Sequence, residues 1–179
     1  MGLDMTLQKR IYIGNQYKKP EEQVIVKGVG GRIIKQEKVS SITLDVAYWR
    51  KANQIHRWFV ETVQKGEDDC KEYYVTRDQI KDLVHLCKLV LASSHLVEGK
   101  VKNGKKLENG VWVDIIEDGK TIVDPVTAKS LLPTHSGFFF GSEEYDEGYY
   151  QDLKDTVEML EAELATGETD ADYYYQSSW

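Results

Sequence analysis

The chain has 179 residues, of which 41% are hydrophobic and 30% charged, with a formal net charge of −7. That is enough apolar material for one core. No stretch approaches the roughly 18 apolar residues of a membrane span, so no membrane partner is expected. The two cysteines, Cys70 and Cys87, are too few for a disulfide framework, and MGLDMTLQKR has no apolar leader core, which suits a reducing cytoplasm.

The charge is unevenly distributed. Residues 1–60 hold eleven Lys and Arg against five Asp and Glu, a net +6, while residues 141–179 hold one Lys against twelve acids, a net −11. Such separation steers partners of opposite sign, although two solvated faces packed near each other are the plainer reading.

Residues 3–14 alternate, with Leu3, Met5 and Leu7 on one side and Asp4, Thr6 and Gln8 on the other, as a half-buried strand does. Residues 23–28 and 31–37 flank Gly28, Gly30 and Gly31 and read as a hairpin, and 38–44 as a further strand. Asp45 is the expected N-cap of a helix over 46–64, with Tyr48, Ala52, Ile55, Phe59 and Val63 in one stripe and Trp49, Asn53, His56 and Val60 in the next. A breaker, KGEDDC, and a short strand, EYYV, follow. Thr76 and Gln79 then form a capping box for a helix over 77–92.

Three turn dipeptides fall in 97–124: Asn103-Gly104, Asn109-Gly110 and Asp118-Gly119. They predict an exposed β-hairpin insertion, with GVWVDII and KTIV flanking the last. A short helix over 125–131, a long one over 145–164 ended by Gly167, and a final strand, DYYYQSSW, complete the chain. The expected fold is a single α+β domain. A mixed or antiparallel sheet containing both termini packs with three main helices.

Catalytic signatures are missing. KGVGGR is followed by strand pattern instead of the helix a phosphate loop opens, and His85 and Cys87 point about 200° apart on a helix. No zinc spacing or nucleophile elbow occurs, so no metal, cofactor or catalytic residue is assigned. Glu67, Asp68 and Asp69 would raise the Cys70 thiol pKa and weaken it as a nucleophile.

Two stretches stand out. In YWRKANQIHRWF, Asn53 and His56 share a face with Trp49, as a satisfied core pair or as a cleft rimmed by Arg50 and Arg57. In GFFFGSEEYDEGYY, three phenylalanines precede an acidic run. In an extended segment Phe138 and Phe140 would face inward, leaving Phe139 to another apolar neighbour or to solvent. Glu143, Glu144, Asp146 and Glu147 rim that surface, which with Tyr145 and Tyr149 is the expected protein-binding site. The carboxylates also suit the cap and dipole of the helix they open.

MGLDM, YWRKANQIHRWFV, LLPTHSGFFFGSEEYDE and YYYQSSW resemble a group of bacteriophage, prophage and mobile-element proteins; 97–124 lies outside the resemblance. It implies a small accessory protein of a mobile genome; by analogy with the anti-CRISPR inhibitors of the nuclease Cas9 that such genomes encode, the leading expectation is stoichiometric binding of a host protein in the bacterial cytoplasm. Three other readings are a nucleotide-sequestering protein using Trp49, Arg50, Asn53, His56 and Arg57, a small hydrolase using His56, and nucleic-acid binding through the basic N-terminal half.

Overall fold

In chain order the computed structural model, which describes residues 2–137, 139–167 and 170–179, runs β1 (Asp4–Tyr12), β2 (Ser41–Arg50), α1 (Asn53–Thr62), β3 (Tyr73–Val75), α2 (Arg77–Ser93), β4 (Leu96–Glu108), β5 (Val111–Ile122), α3 (Val126–Leu131), α4 (Glu147–Ala165) and β6 (Ala171–Ser178). Four strands form an antiparallel sheet in the order β2-β1-β6-β3, which pairs the first strand with the last; β4 and β5 form a separate two-stranded sheet. The chain is a single α+β domain with an antiparallel sheet.

Alternation in β1 places Met5 and Leu7, with Leu3 just before them, on the inner face, where all three are fully buried. Tyr173 and Tyr175 of β6 join them, and Phe59 of α1 stacks on Tyr175 with ring centroids 3.9 Å apart. One core holds these side chains together with Ile80, Leu83, Val84, Cys87 and Val90 of α2 and Leu153 and Leu160 of α4. Thr76 and Gln79 close the capping box that opens α2, and Asp146 caps α4 by accepting from the Tyr149 N–H. Lys9 also lies on the inner face, where its ammonium meets Glu163 at 2.8 Å and Tyr173 donates to the same carboxylate oxygen.

Three expectations are corrected. Residues 46–50 are strand, and the helix begins at Asn53, eight residues past the expected cap Asp45. Along β2 Ala47 and Trp49 point inward while Tyr48 and Arg50 point out. The run SITLDVAYW is rich in β-branched and aromatic residues, and its ladder with β1 prevails over the helical spacing it shares. Lys51, at φ 63, breaks the strand.

The single turn of the long hairpin is Asn109-Gly110, with both residues at positive φ. Asp118-Gly119 lies within β5, where a Cβ on Gly119 would meet Val101 at 2.6 Å. Asn103-Gly104 sits at a break in register between Lys102 and Lys105.

The hairpin expected over 23–37 shrinks to one bridge, Lys27 to Ile33, among short 3-10 turns. The buried Asn15 side chain donates to the carbonyls of Val24 and Gln36 and accepts from the Val24 N–H. It thereby occupies backbone groups that a ladder would need.

Candidate functional site

The described residues of the loop between α3 and α4, 132–146, form no helix or strand apart from a single bridge between Asp146 and Thr121, and side chains of other elements shape them. Asn53, the first residue of α1, is buried; its amide donates to the carbonyls of Phe140 and Ser142, at 3.1 and 2.7 Å, and its oxygen accepts the His135 N–H at 2.9 Å. Arg57, one turn on, donates to the Thr134 carbonyl. Tyr149 donates to the Leu132 carbonyl at 2.8 Å, and Thr134 donates to the Glu143 carbonyl at 3.1 Å. An amide at the head of a rigid helix supplies partners that a sheet would otherwise give.

Phe140 is the apolar anchor of this loop. It is buried edge-on to His56, 5.2 Å between centroids, and to Trp179, 5.9 Å. Gly137 is required beside it, since a Cβ there would lie 2.4 Å from the Phe140 ring. The chain then turns Phe139 outward, 57% exposed, in the left-handed region at φ 60. Such a φ costs a non-glycine residue about 1–2 kcal/mol. Gly141, at φ 99, passes so close to Lys51 that a Cβ would stand 2.9 Å from its carbonyl oxygen. Phe138 lies outside the described residues.

Behind the loop, His56 is fully buried. Its Nε2 lies 3.0 Å from Asp68 Oδ2 and its Nδ1 lies 2.8 Å from the Tyr175 hydroxyl. A carboxylate can only accept, so Nε2 carries the proton and Tyr175 donates to Nδ1. Burial holds the imidazole below its ordinary pKa in spite of Asp68. Trp179 donates to the other oxygen of Asp68, which ties the end of β6 to this network. Trp49 is buried as well and donates to Thr156 of α4 at 2.8 Å.

Two depressions flank the exposed Phe139. A groove of about 1130 Å³ separates the loop from the hairpin; Phe139 and Trp112 stand in it, with Lys51, Lys105, Glu143 and Glu144 around them. A cleft of about 190 Å³ continues from it across Lys51, Gly141, Ser142 and Glu144 toward Arg50, Gln54, Asp146, Tyr149 and Asp152. Asp152 is pushed up to about 6, chiefly by burial and further by the carboxylates of Asp155 and Asp146, while a hydrogen bond from Gln54 at 3.0 Å opposes the rise. The hairpin reaches the groove because its base is fastened to the start of α4. Ile122 donates its N–H to the Tyr145 carbonyl at 2.8 Å, and Lys120 faces Glu147 at 3.7 Å.

The two residue sets expected from sequence therefore form one construction. Asn53 and Arg57 hold up the loop, Trp49 and His56 lie beneath it, and Arg50 shares the small cleft with Glu144, Asp146 and Tyr149. Trp49, Asn53 and His56 share no opening to solvent. Glu143 and Glu144 border the groove. Tyr145 packs on Tyr149 inside the rim, and Glu147 lies beside Lys120.

Sequence reasoning missed Lys51, Trp112 and Asp152. A tryptophan two residues past an Asn-Gly turn was the available signal for Trp112. Asp152, three residues after Tyr149 on α4, had a weaker one. Among the described residues no group of three His, Cys, Asp or Glu is placed to hold a metal ion. Compared with protein-family models, curated proteins and solved structures, the chain matches none, and the surface is read from its own geometry.

Proposed function

We propose that the protein acts by stoichiometric, non-covalent binding of another protein at the groove between the 132–146 loop and the hairpin. The observation that carries this reading is Phe139. A large apolar side chain stands more than half exposed, at a backbone angle unfavourable to it, in a loop whose Phe140 and Ser142 carbonyls are held by the buried Asn53. Strain maintained by a buried polar clamp is typical of a contact site. Trp112, 65% exposed across the groove, supplies a second aromatic anchor, and Glu143 and Glu144 form a charged rim that speeds encounter with a basic partner.

The resemblance to mobile-element proteins points to a host defence nuclease of the Cas9 type as that partner. Purified protein should inhibit such a nuclease at about one inhibitor per enzyme. Replacing Glu143, Glu144, Asp146 and Glu147 by Ala should slow association and flatten its salt dependence. Absence of inhibition removes that partner. Inhibition unchanged by Phe139→Gly with Trp112→Ser removes the groove as the means.

A further inference from the structure

At the opposite end of the sheet from Phe139, residues 13–40 form a lobe between β1 and β2. β1 separates the two, and its nine residues span about 30 Å. Lys18, Lys19, Lys27, Arg32, Lys35 and Lys38 are all exposed in this lobe, and none takes part in an ion pair among the described residues; against the exposed Glu21, Glu22 and Glu37 they leave the lobe a net +3. Four of the five hairpin lysines differ: Lys100, Lys102, Lys106 and Lys120 each face a carboxylate, and Lys105 alone takes part in no ion pair among the described residues.

The lobe also exposes aliphatic side chains. Val29 is fully exposed at the tip, next to Gly30 and Gly31, and Ile25, Ile33 and Ile34 are each more than half exposed on the arms beside it. The bridge between Lys27 and Ile33 joins the two arms and sets Lys27, Arg32 and Lys35 behind the tip.

We infer that this lobe docks on an anionic lipid bilayer, with Val29 entering the interface and the cations resting on the headgroup phosphates. Nothing in the lobe spans a membrane; it would lie on one. An aliphatic tip collared by unpaired cations matches both parts of a charged lipid interface. A nucleic acid would use the cations but gain nothing from four aliphatic side chains, which neither stack on bases nor hydrogen-bond to them. A second copy presenting its acidic rim would also bring Lys51 and Lys105 against the same cations.

The test is flotation of the full chain with vesicles of phosphatidylcholine, alone or with about a third phosphatidylserine. Binding is expected only to the anionic vesicles, and should weaken as salt is raised. Val29→Asp, and Lys27→Glu with Arg32→Glu and Lys35→Glu, should each lower vesicle affinity about ten-fold or more, while Val29→Trp should raise it. All four side chains are exposed, and Asn15, Gln23 and Gln36 hold the lobe, so the far-ultraviolet circular dichroism of the variants should match the parent. Binding to neither vesicle, equal binding to both, retention of duplex or single-stranded nucleic acid without vesicle binding, or self-association lost on charge reversal overturns the inference.

Discussion

Residues 132–146 and 13–40 are both irregular, and each is organised by one buried asparagine that satisfies three backbone groups. The origin of that asparagine separates them. Asn53 belongs to α1, whose neighbours Ile55 and Phe59 are in the core, so the first loop is fixed from outside itself. Asn15 belongs to the lobe it holds, whose only other buried residues are Ile13 and Gly14 at its start. A segment clamped from a rigid element can hold a strained side chain in solvent. One clamped from within can open as a unit while the core stays folded.

The largest effect should come from removing the anchor of the first loop. Phe140→Ala is expected to lower stability by about 3–5 kcal/mol in urea denaturation, because it empties a site enclosed by His56, His135 and Trp179. A loss near zero would mean that the loop is not fixed by the core.

Next is the pair of asparagines. Asn53→Ala should lower global stability by about 2–4 kcal/mol, since it strands the buried Phe140 carbonyl and unpairs the Ser142 carbonyl and the His135 N–H. Asn15→Ala should leave the cooperative transition nearly in place and instead speed amide exchange within 13–40. Equal global losses would erase the distinction between the two regions.

The pH dependence is a smaller effect and carries two opposite signs. The unfolded His56 takes its proton near 6.5 and the folded one resists it, so its stabilising contribution is full above 6.5 and is lost as pH falls below that value. Asp152 is protonated near 3.8 unfolded and about 6 folded, so its penalty is absent below 3.8, grows as pH rises through 6 and is complete above it. Asp152→Asn should therefore add about 1–2 kcal/mol at pH 7.5 and nothing at pH 3.5, read from paired urea titrations. A gain that persists at low pH would show that ionisation is not the cause.

The smallest effect on stability belongs to Phe139. Phe139→Gly removes an exposed ring and relieves the left-handed backbone, so it should change stability by less than about 1 kcal/mol, with a gain the expected sign. The same substitution should abolish partner binding. Intact binding would mean that the strain serves no contact.

Much of the fold could be read where local patterns agreed with long-range packing. The alternation of β1, the Thr76–Gln79 capping box, the stripe of α2 and the final tyrosine strand all fall where their patterns place them. The pattern misled at 46–50, where aromatic and β-branched residues satisfy both a helical stripe and a strand alternation, and only pairing with β1 decides between them. It was silent about Asn15, because nothing local shows that one side chain will claim the backbone of Val24 and Gln36.

For the candidate site, the notable residues were visible but their division of labour was not. Asn53 read as half of a core pair or as part of a cleft, with Arg57 at its rim, and both are supports of a loop more than 75 residues further along the chain. Phe139 could be recognised as the odd member of its triplet by the alternation of an extended segment, even though the segment proved to be a loop. Trp112 reaches the groove through the length and fastening of the hairpin, which turn dipeptides alone do not specify.

The most direct test of the groove as a docking surface is photo-crosslinking in a host lysate, from probes placed at positions 112 and 139 and, as a reference, at 48 on the outer sheet face. One host protein should be captured from 112 and from 139 but not from 48. That capture should persist with Val29→Asp and form more slowly with Glu143→Ala, Glu144→Ala and Glu147→Ala at physiological salt. Indistinguishable captures from all three positions would contradict it.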